Sequence, residues 1–296
     1  MTLPPSTTPR TRRRTAAGVA VAACVTGLSV LVAPVGPAAA AGPVAAAAQG
    51  RERLATTTAQ VTMNNSFPMK AKLQREDIAT VTAMADVVGW QEIANPAQQD
   101  AIRDQQGWAT YWPDGFRDGS PSRRSANQSP ISYRTDKWQR IAKGTRQTSN
   151  PVKDVAGDRW ISWVVLRDRQ TGIKVARWNL HFVPGAWTSK GSAAQKRNRD
   201  TLKKEWRNQR RVTLEVIGDL ATRAHAVIGG GDVNRIRFPF LGDAVVYDAT
   251  PMSLDHLVHV ANRRTTTTGM TRHDVNSDHP AVRVTYDLNR WRPRGR

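Results

Sequence analysis

The sequence predicts an α/β fold in which mixed sheets are packed together with helices rather than wound into one parallel sheet. Three observations support this. From residue 59 onward, short apolar runs of strand length alternate with helical patterns. A hairpin interrupts that alternation around a Gly-containing turn, Asp168-Arg169-Gln170-Thr171-Gly172, so not every pair of strands is joined by a helix. Neither a repeat nor a second linker divides the region, which therefore reads as one domain over 59–288 with a basic tail at 289–296.

In chain order, residues 59–63 read as a strand ending at Asn64-Asn65-Ser66, and 72–85 as a helix with Leu73, Ile78, Val81 and Met84/Ala85 inward. Residues 86–93 return as a buried strand. Asn95 caps a second helix, with Pro96 at its first position. Strands follow at 129–133, 160–167 and 173–181. Residues 191–223 read as one long basic helix, carrying Leu202, Trp206, Leu214, Ile217 and Leu220 on part of its other side. The last strands are 226–228, ending in three glycines, then 254–260 and 281–286.

Ahead of the domain lie a basic stretch (Arg10, Arg12, Arg13, Arg14), an Ala/Val/Leu run and Ala-rich small residues near position 40. This is the pattern of a secretory signal peptide over 1–41, cleaved near Gly42. Consecutive arginines allow either general secretory or twin-arginine export. Residues 42–58, Ala/Thr-rich and aperiodic, read as a flexible linker. The only cysteine, Cys24, lies in the leader, so the mature chain has no disulfide, thiol nucleophile or Cys-bound metal. No later apolar stretch reaches membrane-spanning length, and the expected product is a secreted, extracellular monomer without stable membrane insertion. The formal charge is +20; removing four leader arginines leaves 40 basic against 24 acidic residues, or +16. Such a surface favours polyanions.

Polar clusters sit where strands stop: Asn64; Glu92 closing an apolar strand; Asn179-Leu180-His181; Gly231-Asp232-Val233-Asn234; Leu254-Asp255-His256; and Ser277-Asp278-His279-Pro280. A carboxylate ending a hydrophobic strand is costly unless a hard cation or a donor compensates. Adjacent Asp and His suit metal-assisted phosphate chemistry. The three glycines before Asp232 read as a close approach of backbone to ligand, with Asp232 and Asn234 on one side of an extended segment. Read singly, each cluster is equally compatible with a turn, an edge carboxylate or a satisfied core histidine.

Together and in this order, the clusters resemble the endonuclease/exonuclease/phosphatase superfamily over about residues 60–286. The resemblance implies a four-layer α/β/β/α sandwich of two mixed sheets flanked by helices, with the site at one end between the sheets. It implies Mg2+ (Mn2+ or Ca2+ as alternatives) held mainly by Glu92, helped by Asn64 and Asp278. It further implies that His279 contacts the scissile phosphate and moves a proton, and that Asp232 and Asn234 orient water and bind phosphate. His181 would be a second catalytic histidine oriented by Asp255. The stretch Ser125-Ala126-Asn127-Gln128-Ser129 lacks the carboxylate that deoxyribonuclease-like members use for support, leaving the partner of His279 open.

Three functions follow. The first is a metal-dependent nuclease with nucleic acid as substrate, suggested by charge, by Arg123-Arg124 and Arg235/Arg237 near motif loops, and by Trp187 as a base-stacking surface. The second is a phospholipid or sugar-phosphate phosphodiesterase, with Trp108, Tyr111 and Trp112 as an aromatic membrane hairpin. The third is a non-catalytic polyanion-binding module.

Overall fold

The computed structural model describes residues 52–63, 71–93, 95–113, 125–236, 238–249 and 254–290. Among these residues twelve strands form two six-stranded sheets: β1 (Glu52–Thr62), β2 (Val87–Gln91), β3 (Trp108–Tyr111), β4 (Ile131–Arg134), β5 (Trp138–Ser149), β6 (Arg159–Asp168), β7 (Lys174–His181), β8 (Ala226–Asp232), β9 (Val245–Ala249), β10 (Asp255–Val260), β11 (Thr265–His273) and β12 (Ala281–Arg290). The first sheet runs β11-β12-β1-β2-β4-β3 and the second β5-β6-β7-β8-β10-β9. Both are mixed: β1/β2 and β7/β8 are parallel, each joined through a helical crossover, and the remaining pairs are antiparallel.

The layer count follows from the buried apolar residues, which separate into three cores. One, with Leu166, Val175, Ile228, Leu257, Val284 and Tyr286, lies between the sheets. Another joins Val61, Val88 and Trp90 of the first sheet to Ile78 and Val81 of helix α1 (Ala71–Ala83) and Ile102 of α2 (Pro96–Arg103). The last joins Trp178, Leu180 and Val227 of the second sheet to Leu202, Trp206, Ile217 and Leu220 of a long helix. Three interfaces make four layers, α/β/β/α, the architecture expected from the sequence.

Helix α2 starts as expected: the Asn95 side chain accepts from the Gln98 backbone, and the Gln98 side chain accepts from the Asn95 N–H. The single helix expected over 191–223 is broken. Ser192 and Gln195 form a capping box that starts α3 (Ala193–Arg197), and after Asn198 the chain restarts as α4 (Arg199–Ala221). The linker expected over 42–58 is also corrected, because Glu52 onward is β1, paired with β12 up to Glu52↔Arg290. That pairing draws Asn289 and Arg290 out of the expected tail and into β12. Backbone pairing supplies the order there, and β-branched threonines suit it without apolar alternation.

The glycines before Asp232 are corrected as well. They lie within β8, flanked by β7 and β10. A Cβ on Gly229 would lie 2.1 Å from the Trp178 indole, and one on Gly230 would lie 1.8 Å from the His256 carbonyl oxygen. They are small so that neighbouring protein fits, not so that a ligand does.

Candidate active site

Strand register builds the site before any side chain is considered. Asp232 ends β8 directly opposite Asp255, which starts β10, and beside His181, which ends β7. In the facing sheet Thr62 ends β1 beside Gln91, which ends β2, and Glu92 follows. The loop entering β12 brings Asp278 and His279 alongside the end of β1, since Gln60 pairs with Val282. Strand ends from both sheets therefore meet at one end of the sandwich.

The central pair is Asp255 and His279. Asp255 is fully buried, and its Oδ2 lies 2.5 Å from His279 Nδ1. Thr62 Oγ1 lies 2.7 Å from Asp255 Oδ1 and 3.3 Å from Gln91 Oε1; its one proton goes to the nearer, charged oxygen. Burial alone would lower the His279 pKa. The hydrogen bond and charge of Asp255, then Asp232 and Asp278, overcome this and carry it to about 9. The loop is pinned from behind: Asp77 of α1 accepts from the Asn276 N–H and side-chain amide, both at 2.8 Å, and from the Ser277 N–H at 3.1 Å. Ser277 Oγ donates to the Thr62 carbonyl at 2.6 Å.

The expected orientation of His181 by Asp255 is corrected. Register sets His181 beside Asp232, while His279 reaches Asp255 Oδ2 from the loop that enters the other sheet. This also answers the open question of the His279 partner. His181 Nε2 lies 3.6 Å from Asp232 Oδ2 and 4.0 Å from Glu92 Oε1, and its Nδ1 lies 3.4 Å from Arg159 Nη1. A guanidinium only donates, so Nδ1 is the acceptor and the ring proton sits on Nε2, facing the carboxylates. Burial, then the charges of Arg159 and His279, push the His181 pKa well down. Burial and Asp255 raise Asp232 to about 7, against the opposing pull of His279.

Asn234 is not extended. Its φ is +51°, its N–H donates to Asp232 Oδ1 at 2.7 Å, and its Nδ2 donates to the Phe182 carbonyl at 2.9 Å. These bonds fix the side chain and leave its oxygen as the remaining polar group. Glu92 is also left-handed, with φ +59°, a conformation uncommon for a non-glycine residue and one that turns its carboxylate toward His181. Asp278 is exposed in the loop before His279. Asn64 lies outside the described residues, as do Arg123, Arg124 and Arg237.

One site residue was missed in the sequence, and another was named there without its role. Arg159, at the start of β6, is an isolated Arg before Trp160 in no motif; only the sheet pairing shows it beside His181. Burial lowers its pKa, and Glu92, Asp232 and Asp158 oppose that. Asn179 of the Asn-Leu-His cluster proves to be a clamp between sheets. Its Nδ2 donates to the Trp90 and Pro130 carbonyls, while Gln60 and Gln91 donate to its Oδ1. The Trp187 expectation also changes: its ring is half-buried, T-shaped against Trp206, with the Arg235 guanidinium 4.1 Å from its centroid. Tyr111 and Trp112 are buried, so they are not a displayed membrane hairpin.

Among the described residues no group of three or more His, Cys, Asp or Glu side chains is arranged to hold a metal. Glu92 and Asp278 are hard oxygen donors, and one or two carboxylates suit Mg2+, which keeps several waters and takes substrate phosphate as a further ligand. Both carboxylates are of the donor type that such an ion takes.

No protein-family model and no curated protein matches the chain. Solved structures do. An endonuclease/exonuclease/phosphatase family protein from Bacteroides thetaiotaomicron aligns at TM-score 0.60 and 16% identity, over 80% of this chain and 99% of the other. A mannosyl-6-phosphatase from the same organism aligns at 0.58 and 17%, over 78% and 99%. TDP2 from D. rerio, complexed with single-strand DNA product, aligns at 0.55 and 14%, over 78% and 98%. At these identities the likeness concerns the fold.

Proposed function

We propose that this chain, which has the fold of the endonuclease/exonuclease/phosphatase superfamily, is a secreted, divalent-metal-dependent phosphodiesterase that hydrolyses nucleic acid. One observation carries the reading: His279–Asp255, His181, Asp232, Asn234, Glu92 and Arg159 converge at one end of the sandwich, where the two sheets meet. Simple folding needs do not gather two histidines, an arginine and several carboxylates there, since buried charge opposes stability.

Asp255 fixes the His279 ring through Nδ1, leaving Nε2 to meet a phosphoryl or leaving oxygen and transfer a proton. Arg159 and the Nε2–H of His181 are donors that would stabilise charge growing on the phosphoryl oxygens. Asp232, tied to the Asn234 N–H, has its second oxygen available to orient the attacking water, and the Asn234 side-chain oxygen assists. Glu92 and Asp278, with Asn64, would hold Mg2+. When bound, that ion supplies Lewis-acid stabilisation of phosphoryl charge.

Nucleic acid is favoured over other phosphoesters by the +16 charge expected after leader removal. The leader pattern supports secretion, and no helix among the described residues is long and apolar enough to cross a membrane. The test is nicking of supercoiled plasmid by the purified protein with Mg2+ plus Ca2+, beside EDTA and Glu92→Ala controls. Nicking abolished by either control is expected. Intact plasmid overturns the DNA reading and directs the protein to RNA and sugar phosphates.

A further inference from the structure

Three cations gather around one indole next to the site. Lys203 Nζ lies 5.7 Å, the Arg207 guanidinium 5.6 Å and the Arg235 guanidinium 4.1 Å from the Trp187 ring centroid. Arg235 also lies 3.4 Å from the Phe238 centroid. Arg235 directly follows Asn234, and Trp187 lies six residues beyond His181, so the cluster adjoins the end of the sandwich where the phosphate chemistry is placed. Lys203 and Arg207, one turn apart on α4, present their charges on one helix face.

The other end of the same helix handles charge differently. Arg211 lies 2.5 Å from Glu215, which also meets Arg146 at 2.7 Å, and Arg223 lies 3.1 Å from Asp219. Among the described residues no carboxylate comes within ion-pairing distance of Lys203, Arg207 or Arg235. Burial and Arg207 hold the Arg235 pKa below its ordinary value, as expected where like charges crowd. Aromatic faces offset part of that repulsion. An external anion would relieve the remainder.

We infer that Lys203, Arg207 and Arg235, gathered on Trp187, form a ridge that grips the sugar-phosphate backbone of a nucleic-acid strand beyond the scissile bond. The inference rests on the nuclease reading and deepens it. Because Arg235 and Trp206 engage Trp187, its ring supports cations rather than stacking a base, and the grip reads phosphates without reading sequence. A membrane is the less favoured polyanion: beside the ridge Ile236 is an exposed large apolar side chain, whereas interfacial anchoring draws on a broad apolar face.

The test is fluorescence anisotropy of a labelled single-stranded oligonucleotide, titrated in EDTA over a range of salt. Binding is thus measured without turnover. The triple variant Lys203→Ala/Arg207→Ala/Arg235→Ala should weaken binding on the order of 10–100-fold and reduce the log–log salt slope by about 2, at about 0.7 per phosphate contact. Arg146→Ala/Arg211→Ala/Arg223→Ala removes the same formal charge from paired positions and should bind nearly as the unaltered protein does. Lys203→Arg/Arg207→Lys/Arg235→Lys should retain the slope, separating charge from damage to the fold. Equal losses in the two alanine triples, an unchanged slope in the first, or loss of binding only to anionic lipid vesicles would overturn the ridge. Plasmid left intact by a protein whose oligonucleotide binding still depends on the three cations would sink the nuclease reading and leave the ridge standing.

Discussion

Strand β10 contributes to two His–Asp pairs that use the same atoms in opposite ways. At its start, Asp255 holds His279 through Nδ1 at 2.5 Å. Four residues along, His259 Nδ1 lies 2.8 and 2.9 Å from the two Asp248 oxygens. Asp248 also accepts from Thr267 and, at 2.7 Å, from Tyr286 of the facing sheet, so its lone pairs are committed to protein. The His259 side chain is 5% exposed and that of His279 18%. The first pair joins the sheets at the open end; the second welds them inside. Chemistry available to substrate depends on access and on unused bonding capacity, not on the pair itself.

Breaking each pair tests that contrast, beginning with the largest effect. His279→Ala should lower the nicking rate per folded molecule on the order of 10²–10⁴-fold, with some loss of thermal stability because buried Asp255 loses its His279 partner. His259→Ala should act on stability instead, since it takes one of three hydrogen-bond partners from buried Asp248. A loss on the order of 1–3 kcal/mol is expected in denaturant unfolding, with activity per folded molecule preserved. Equal losses of activity per folded molecule in both variants would erase the distinction.

A second histidine of β10 adds a pH test. Burial pushes His256 down to about 4, against smaller opposition from the Arg235 backbone and Asp255. Its folded pKa is therefore below the unfolded value of about 6.5. The unfolded chain takes up the proton first, so this contribution is complete above about pH 6.5 and is lost as pH falls toward 4, on the order of 3 kcal/mol. His256→Phe should flatten that limb in unfolding measured across pH, and an equally steep limb would place the acid sensitivity elsewhere. Thr62→Val, which removes one donor to Asp255, is the finest probe. It should cost about 1 kcal/mol of transition-state stabilisation, about fivefold in rate, with little change in unfolding midpoint.

The strands not legible in the sequence have a common place. β3 and β11 are the two edges of the first sheet, and β5 and β9 the two edges of the second. An edge strand buries little and takes polar residues to resist further pairing, so Trp138–Ser149 and Thr265–His273 carry no inward–outward apolar alternation to read. Central strands such as Val87–Gln91, buried throughout, were legible for the opposite reason. At the site, residue types at strand ends could be read, but partnerships could not. Asp255 was matched to the wrong histidine because cross-sheet contacts have no signature in sequence spacing. Arg159 and Asp77 escaped because an isolated Arg before a strand, or an isolated Asp in a helix, resembles many surface residues.

His279 and Asp255 come from different sheets, and Thr62 and Gln91 meet Asn179 and Asp255 across the same gap. The site is therefore a property of time as well as of place. A chain with either sheet complete and the other absent has secondary structure but no joined His–Asp pair. During refolding, catalytic competence should trail the far-ultraviolet signal of the strands and arrive with the docking of the two halves. Until that docking, every earlier species is chemically silent.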